Sequence, residues 1–239
     1  MFWANKDGQR VGAQPGNRGE CPCCHGTVLA KCGEIVSWHW AHETNDCDPW
    51  YEAESAWHRR WKGFFPDDWQ EAVIGRHRAD IRTPKFILEL QASSISSDEI
   101  VEREQFYADH GGMLWLLKGA DFAENFELRI RDGYFSFRWR WPRQSWWFAK
   151  KPIVIDFPAF GLFYIEKIYQ HLPCGGWGNE LNATEFLNEC GLPTPENSAK
   201  VYDLALAAAK ESGTLSPRIV VPRDRDKEWQ ELLAMGGGQ

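Results

Sequence analysis

The stretch Phe86-Ile87-Leu88-Glu89-Leu90-Gln91 places a carboxylate inside an aliphatic run, and this restricts the fold more than any other feature of the chain. A buried charge without compensation is costly, so the acid needs a partner. Read as a strand, the run puts Ile87, Glu89 and Gln91 on one face and Phe86, Leu88 and Leu90 on the other. Just upstream, Arg78-Ala79-Asp80-Ile81-Arg82 alternates polar and apolar residues, and Thr83-Pro84-Lys85 supplies a turn. A tight hairpin then brings Asp80 level with Glu89 or one residue from it. Two carboxylates held together repel unless a cation sits between them, and an all-oxygen set suits Mg²⁺ or Mn²⁺. Ions of that kind commonly handle phosphates. Downstream, Ser96 followed by Glu99 predicts a helix start, and the helix runs through Ile100, Arg103 and Tyr107 on one face to Gly111-Gly112. Met113 to Leu117 is a continuous apolar run, the pattern of a strand covered on both sides. Strand, helix and strand in this order predict a βαβ crossover.

A second constraint lies near the N-terminus. Cys21 and Cys24 stand three apart, as do His39 and His42, with strand-like pieces at Thr27 to Lys31 and Glu34 to Trp38 between the pairs. Four such ligands satisfy a closed, structural Zn²⁺ site, with Cys23, His25, Cys32 and Cys47 as spare candidates. An odd total of seven cysteines fits metal ligation in a reducing compartment better than a disulfide framework. Residues 1 to 20 read as a loose lead-in or an edge strand, without a signal-peptide core, and no stretch approaches membrane-spanning length, so the expectation is a cytoplasmic protein with no membrane partner.

From Asp48-Pro49 to Phe65-Pro66 the apolar spacing predicts a helix with Trp50, Trp57 and Trp61 as its buried stripe. On it Glu54 and His58 stack four apart, with Lys62 one turn on. Either Glu54 or His58, or Glu71 at the start of the strand Glu71 to Ile74, is placed to address a metal-bound water or a phosphate. Net charge is −7, which argues against a surface that coats nucleic acid indiscriminately. Basic clusters stand out nonetheless at His58 to Lys62, Arg76 to Arg78 and Arg138 to Arg143, and tryptophan neighbours suit base stacking as well as core packing.

The resulting order is helix, three strands, helix, strand, with Asp80 on the second strand and Glu89-x-Gln91 on the third. The chain therefore resembles the PD-(D/E)XK nucleases, an α/β class with an αβββαβ core and a mixed sheet flanked by helices, and more narrowly the competence protein CoiA-like nucleases. Cys21-Pro22-Cys23-Cys24, His39-Trp40-Ala41-His42, Glu54-Ser55, Trp57-His58, Trp61-Lys62, Glu71, His77 to Ile81, Ile87 to Ser93, Arg103 to Tyr107 and the strand around Trp115 carry that likeness, over roughly residues 20 to 120. It implies Mg²⁺-dependent phosphodiester hydrolysis, DNA as the partner, and Asp80 and Glu89 as metal ligands. Gln91 stands where most of the superfamily has lysine, and Trp40 replaces the usual phenylalanine. Gln91 with Glu71, Glu54 or His58 would position the attacking water, and Lys62, Arg78 and Arg103 would contact nucleic acid.

The expected organisation is a zinc segment over 1–48, a nuclease-like core with a following hairpin over 49–150, and a mainly helical C-terminal extension over 151–239. The hairpin is expected around Asp132-Gly133, a further strand at IVIDF, helices near Thr184 to Gly191 and Glu196 to Ser212, and a frayed tail from Arg223. Two readings compete with the nuclease: a nucleic-acid-binding module whose chemistry has lapsed, and a protein-interaction factor acting through the last third.

Overall fold

A computed structural model describes residues 1–34, 37–44 and 47–221. Its first strands are β1 (Trp3–Lys6), β2 (Gln9–Gly12), β3 (Arg18–Glu20), β4 (Thr27–Lys31) and β5 (His39–His42), paired antiparallel in the order β2-β1-β3-β4-β5. The N-terminus is thus part of a sheet and not a loose lead-in, because Met1, Ala4 and Ala13 pack with Cys21, Val28 and Trp40 in a small core. The strand expected at Glu34 to Trp38 falls partly on residues outside the described ones, and the described strand begins at His39.

The helix expected from Asp48 is short: α1 spans Ala56–Lys62. Ser55 caps it, accepting from His58 N while His58 Nδ1 accepts from Ser55 N, so Glu54 lies before the helix and does not share a face with His58. Trp50 is not on a helical stripe either. Its indole lies flat on the His77 ring, with centroids 3.3 Å apart, and the Trp50 backbone N–H donates to Asp48 Oδ1.

The rest of the chain builds one sheet. In order come β6 (Gln70–Ile74), β7 (His77–Arg82), β8 (Ile87–Gln91), α2 (Ser97–Ala108), β9 (Met113–Lys118), β10 (Phe126–Ile130), β11 (Phe135–Trp139), β12 (Ile153–Phe157), β13 (Gly161–Tyr169), β14 (Cys174–Leu181), α3 (Ala183–Glu189), α4 (Pro195–Glu211) and β15 (Arg218–Val220). Among the described residues ten strands pair in the order β15-β10-β11-β14-β13-β12-β9-β8-β7-β6. The class is mixed α/β, with β6, β7 and β8 antiparallel and β8, β9 and β12 parallel. Ser96 caps α2 as expected, accepting from Glu99 N at 3.1 Å.

Residues beyond 150 are not a mainly helical appendage. β12 lies parallel beside β9, and β13 and β14 link it to the β10–β11 hairpin. The physical reason is legible in IVIDF: Ile153, Ile155 and Phe157 enter one core layer and Val154 the other, which fits a central strand and no surface strand. Helices α3 and α4 close the second layer over Trp61, Leu88 and Leu116. The remaining polar residue of that strand, Asp156, is buried yet satisfied by Trp57 Nε1 (2.7 Å), Trp61 Nε1 (2.8 Å), Arg60 Nη2 (2.6 Å) and the Tyr202 hydroxyl (2.7 Å). It fastens α1 and α4 to β12. The tail expected to fray from Arg223 lies outside the described residues, and no described helix is long and apolar enough to cross a membrane.

Candidate metal centre and carboxylate cavity

Cys21, Cys24, His42 and Cys47 converge so that one ligand atom of each lies within 4.8 Å of the others. The β4–β5 pairing delivers His42, the turn after β3 delivers the two first cysteines, and the loop beyond β5 returns Cys47. Cys21 Sγ and Cys47 Sγ are 3.8 Å apart, and Cys24 Sγ is 3.3 Å from His42 Nε2. Tetrahedral zinc with Zn–S bonds of about 2.3 Å requires sulfur atoms roughly 3.8 Å apart, so the donors fit the ion. Backbone N–H groups of Cys23 and Gly26 point at Cys21 Sγ and Cys24 Sγ, each at 3.4 Å, and steady them as acceptors. Burial, helped by Cys24 and Cys21 beside it, pushes the Cys47 thiol well above its usual range. The cluster departs from expectation at one ligand: Cys47 stands where His39 was placed. Successive strand residues alternate sides, and three positions along β5 put His39 on the opposite side from His42; its Nδ1 bonds Ser37 O at 2.8 Å instead.

Cys47 is followed by Asp48, which lines a second site. This cavity of about 30 Å³, room for one ion or water, is walled by Asp48, Glu52, Glu54, Glu71, Asp80 and Glu89 against Lys62, Arg78 and Arg103, with His58, Trp50 and Leu90 completing it. The hairpin register Ile81↔Leu88 and Arg82↔Ile87, continued one step, sets Asp80 opposite Glu89. Asp80 N approaches Glu89 Oε1 at 3.4 Å and Asp80 Oδ2 accepts from Leu90 N at 3.0 Å. Glu71 reaches the site because its residue adopts φ +47° within β6, turning the carboxylate inward to accept from Phe2 N and Trp3 N of the small sheet.

Lys62 projects from the end of α1 into the middle of the acids. Its Nζ lies 3.0 Å from Asp80 Oδ1, 3.1 Å from Glu54 Oε2 and 3.3 Å from Glu71 Oε1. Burial favours a neutral amine, but the three carboxylates outweigh it and raise the Lys62 pKa, so the ammonium is firmly charged. Glu71 answers in kind: burial is outweighed by Lys62, the N-terminal ammonium and Arg78, and its carboxyl falls to about 2. Glu89 goes the other way. Burial and the neighbouring Asp80 raise it, and Arg103 Nη1, 2.9 Å from Glu89 Oε2, offsets them only in part. Arg103 is itself fixed by Glu99 and by Trp50 O. Elsewhere in the lining, burial would lower the His58 pKa, but Glu52 and Asp80 raise it above the ordinary histidine value.

Of the residues expected at this site, Asp80, Glu89, Glu71, Glu54, His58, Lys62, Arg78 and Arg103 do line one cavity. Gln91 does not. It shares the Glu89 face, yet its amide donates to Ser93 O at 3.3 Å. Lys62 and Arg103, expected to meet nucleic acid, are both buried and turned onto carboxylates. Sequence reasoning missed Glu52, which accepts from Ala92 N and Ser93 N and faces His58 Nε2 at 3.5 Å, and Asp48, which holds His77 Nδ1 at 2.9 Å and Arg78 N at 2.8 Å. Little local marks Glu52, since the backbone groups it accepts from, Ala92 N and Ser93 N, lie about forty residues away.

The oxygen donors suit a hard divalent cation, and Asp80 and Glu89 keep lone-pair capacity beyond their present contacts, whereas both Glu71 oxygens already accept twice. Such a cation meets Lys62 as a competitor, because the ammonium already stands among the acids. Residues 17–49 match the family model described as Competence protein CoiA, N-terminal domain, a span that carries the Cys/His cluster and ends one residue past Asp48. No curated protein and no solved structure matches the chain.

Proposed function

We propose that the chain is a CoiA-like nuclease that hydrolyses phosphodiester bonds, most readily in DNA, with Mg²⁺ or Mn²⁺ between Asp80 and Glu89 and with Zn²⁺ in the Cys/His cluster as a structural ion. The observation that carries the reading is the crowding of acids in the cavity: six carboxylates share a space the size of one ion with Lys62, Arg78, Arg103 and His58. Acids still outnumber the basic groups, and the upward shift of the Glu89 carboxyl, caused by burial and by Asp80, fits a place where a divalent cation would relieve repulsion. A divalent ion held there supplies an acidified water and neutralises charge on the scissile phosphate. The side chains do the rest. Lys62, oriented by Glu54 and Glu71, presents an ammonium beside Asp80, a task Gln91 cannot perform because its amide carries no charge and lies outside the cavity. His58, held by Ser55 and Glu52 in the same lining, is the group that would serve as general acid towards a leaving oxygen.

Incubating the protein with linear and circular DNA in Mg²⁺ or Mn²⁺ tests this. Cleavage is expected for the parent, and Asp80→Ala or Glu89→Ala is expected to reduce it at least 100-fold, the scale of losing a catalytic group. Full activity in either variant ends the proposal.

One observation favours a second reading, a nucleic-acid-binding module whose chemistry has lapsed: Lys62 and Arg103 already compensate Asp80, Glu71 and Glu89. On that reading calorimetry detects no Mg²⁺ uptake and no substrate is cut.

A further inference from the structure

Remote from the carboxylate cavity along the chain, the turn that leaves β11 carries Trp141, which is 83 % exposed and has φ +52°. A bulky residue in the left-handed region is strained, and an exposed tryptophan gains nothing from core packing, so neither the backbone nor the side chain is explained by stability. The turn is nevertheless pinned, since Arg140 N donates to Asn125 O at 2.7 Å. Trp141 forms one wall of a surface groove of about 620 Å³, whose other walls include Trp139, Pro142, Leu172 and Pro173, with Leu172 65 % exposed. Two arginines, Arg138 and Arg140, also line it, no acid does, and neither arginine forms a salt bridge among the described residues. In a chain of net charge −7, an open aromatic side chain sharing a groove with two arginines and no acid is a local inversion of charge.

A chain of contacts joins the segment just beyond the groove to the cavity wall. Arg143, two residues from Trp141, packs its guanidinium over Phe122 and donates from Nη1 to Ser93 O at 3.2 Å, while Ser93 N is held by Glu52 of the cavity wall. From these features we propose that the Arg138–Trp141 groove is a subsite for single-stranded nucleic acid, with an unpaired base stacked on Trp141 and the adjoining phosphates on Arg138 and Arg140. Base stacking on an exposed aromatic side chain flanked by cations is the chemistry that holds single strands without reading sequence, whereas a duplex offers no free base face there. Charge decides against a proline-rich peptide, which would use the apolar walls but not the two arginines. The inference rests on the nuclease reading for its biological sense, because it names the form in which substrate reaches the cavity.

The test separates the two. Fluorescence anisotropy with the full chain carrying Asp80→Ala, without added Mg²⁺, measures binding of a labelled oligothymidine and of a duplex of equal length. Tighter binding of the single strand is expected, accompanied by quenching of tryptophan emission. Trp141→Ala should weaken it about tenfold, the loss of one stacked base, and Trp141→Phe should restore most of it. Arg138→Ala and Arg140→Ala should each flatten the salt dependence by about one phosphate contact. Single-strand affinity unchanged in Trp141→Ala, equal affinity for the duplex, or binding of a proline-rich peptide that Trp141→Ala abolishes would each overturn the subsite. If Trp141→Ala in the otherwise unaltered chain cuts single-stranded DNA with an unchanged KM, the subsite alone has failed; if binding behaves as expected and no DNA is cut, the nuclease reading has.

Discussion

The Cys/His cluster and the carboxylate cavity face the same problem, ligands of one kind crowded together, and meet it differently. Around Cys21, Cys24, His42 and Cys47 the structure places backbone N–H donors and, among the described residues, no ion pair to a side-chain cation, so the group could hold a metal ion. In the cavity the chain brings its own cations, Lys62 and Arg103, from two helices. On the proposed reading an external ion completes the first site and competes with a lysine in the second. Spacing of ligands foretells the first case, whereas the second depends on where distant cations come to rest. The sites also share a joint. Cys47 precedes Asp48, and Asp48 fixes His77 and Arg78 beside Glu71, so loss of order in the small sheet should reach the cavity.

The comparison breaks most sharply at Cys47. Cys47→Ser should lower bound zinc from about one ion per chain to near none, read by mass spectrometry, and hydrogen exchange across β1 to β5 should rise sharply. Structural zinc is worth about 10–16 kcal/mol in small domains, so this is the largest effect foreseen. His39→Ala should keep the ion. The reverse pattern, zinc lost with His39 and kept without Cys47, would return the ligand set to the one its spacing suggests.

Next in size is Lys62. Lys62→Met leaves buried Glu71 and the partly buried Glu54 and Asp80 without their shared cation, a loss of up to about 3–5 kcal/mol by the usual cost of breaking a buried pair. If the cavity accepts a divalent ion, millimolar Mg²⁺ or Mn²⁺ should restore part of that stability in thermal melts of the variant and do less for the parent. A variant indifferent to both ions would show that the acids exist for Lys62 alone.

The hairpin that faces Asp80 towards Glu89, the α2 cap at Ser96, the β10–β11 turn and both C-terminal helices were all legible in the sequence, because each is set by residues within a few positions of one another. What escaped was set at long range. Trp50 matches a helical period but stacks on His77, twenty-seven residues on, and IVIDF reads as a strand without revealing that β9 is its neighbour. Glu71 was a candidate by position, yet the positive φ that aims it inward has no signature in QEAVI. Gln91 shows the limit of period-two reasoning: the correct face did not bring it to the correct cavity, because Ser93 captures its amide.

The smallest effect is a pH dependence, and its sign is what separates the two sites' chemistry. Burial and Asp80 hold the Glu89 carboxyl at about 7, above the 4.5 of an unperturbed glutamate. Between those values the folded chain keeps a proton that the unfolded chain has released, so the stabilisation is complete below the unfolded value and is lost as pH rises through about 7. His58, also raised, adds to the loss on the same side, while Glu71, held at about 2, stabilises above the ordinary glutamate range and weakens only as pH falls towards 2. Melting temperature should therefore decline by a few degrees from pH 6 to pH 8, and Glu89→Gln, which cannot ionise, should flatten that decline. A divalent ion reverses the trend, because it binds the carboxylate and competes with the proton: added Mg²⁺ should stabilise the parent more at pH 8 than at pH 6 and leave Glu89→Gln almost unmoved. Equal stabilisation of parent and variant at both pH values would place any bound magnesium away from Glu89 and leave the cavity to its own lysine.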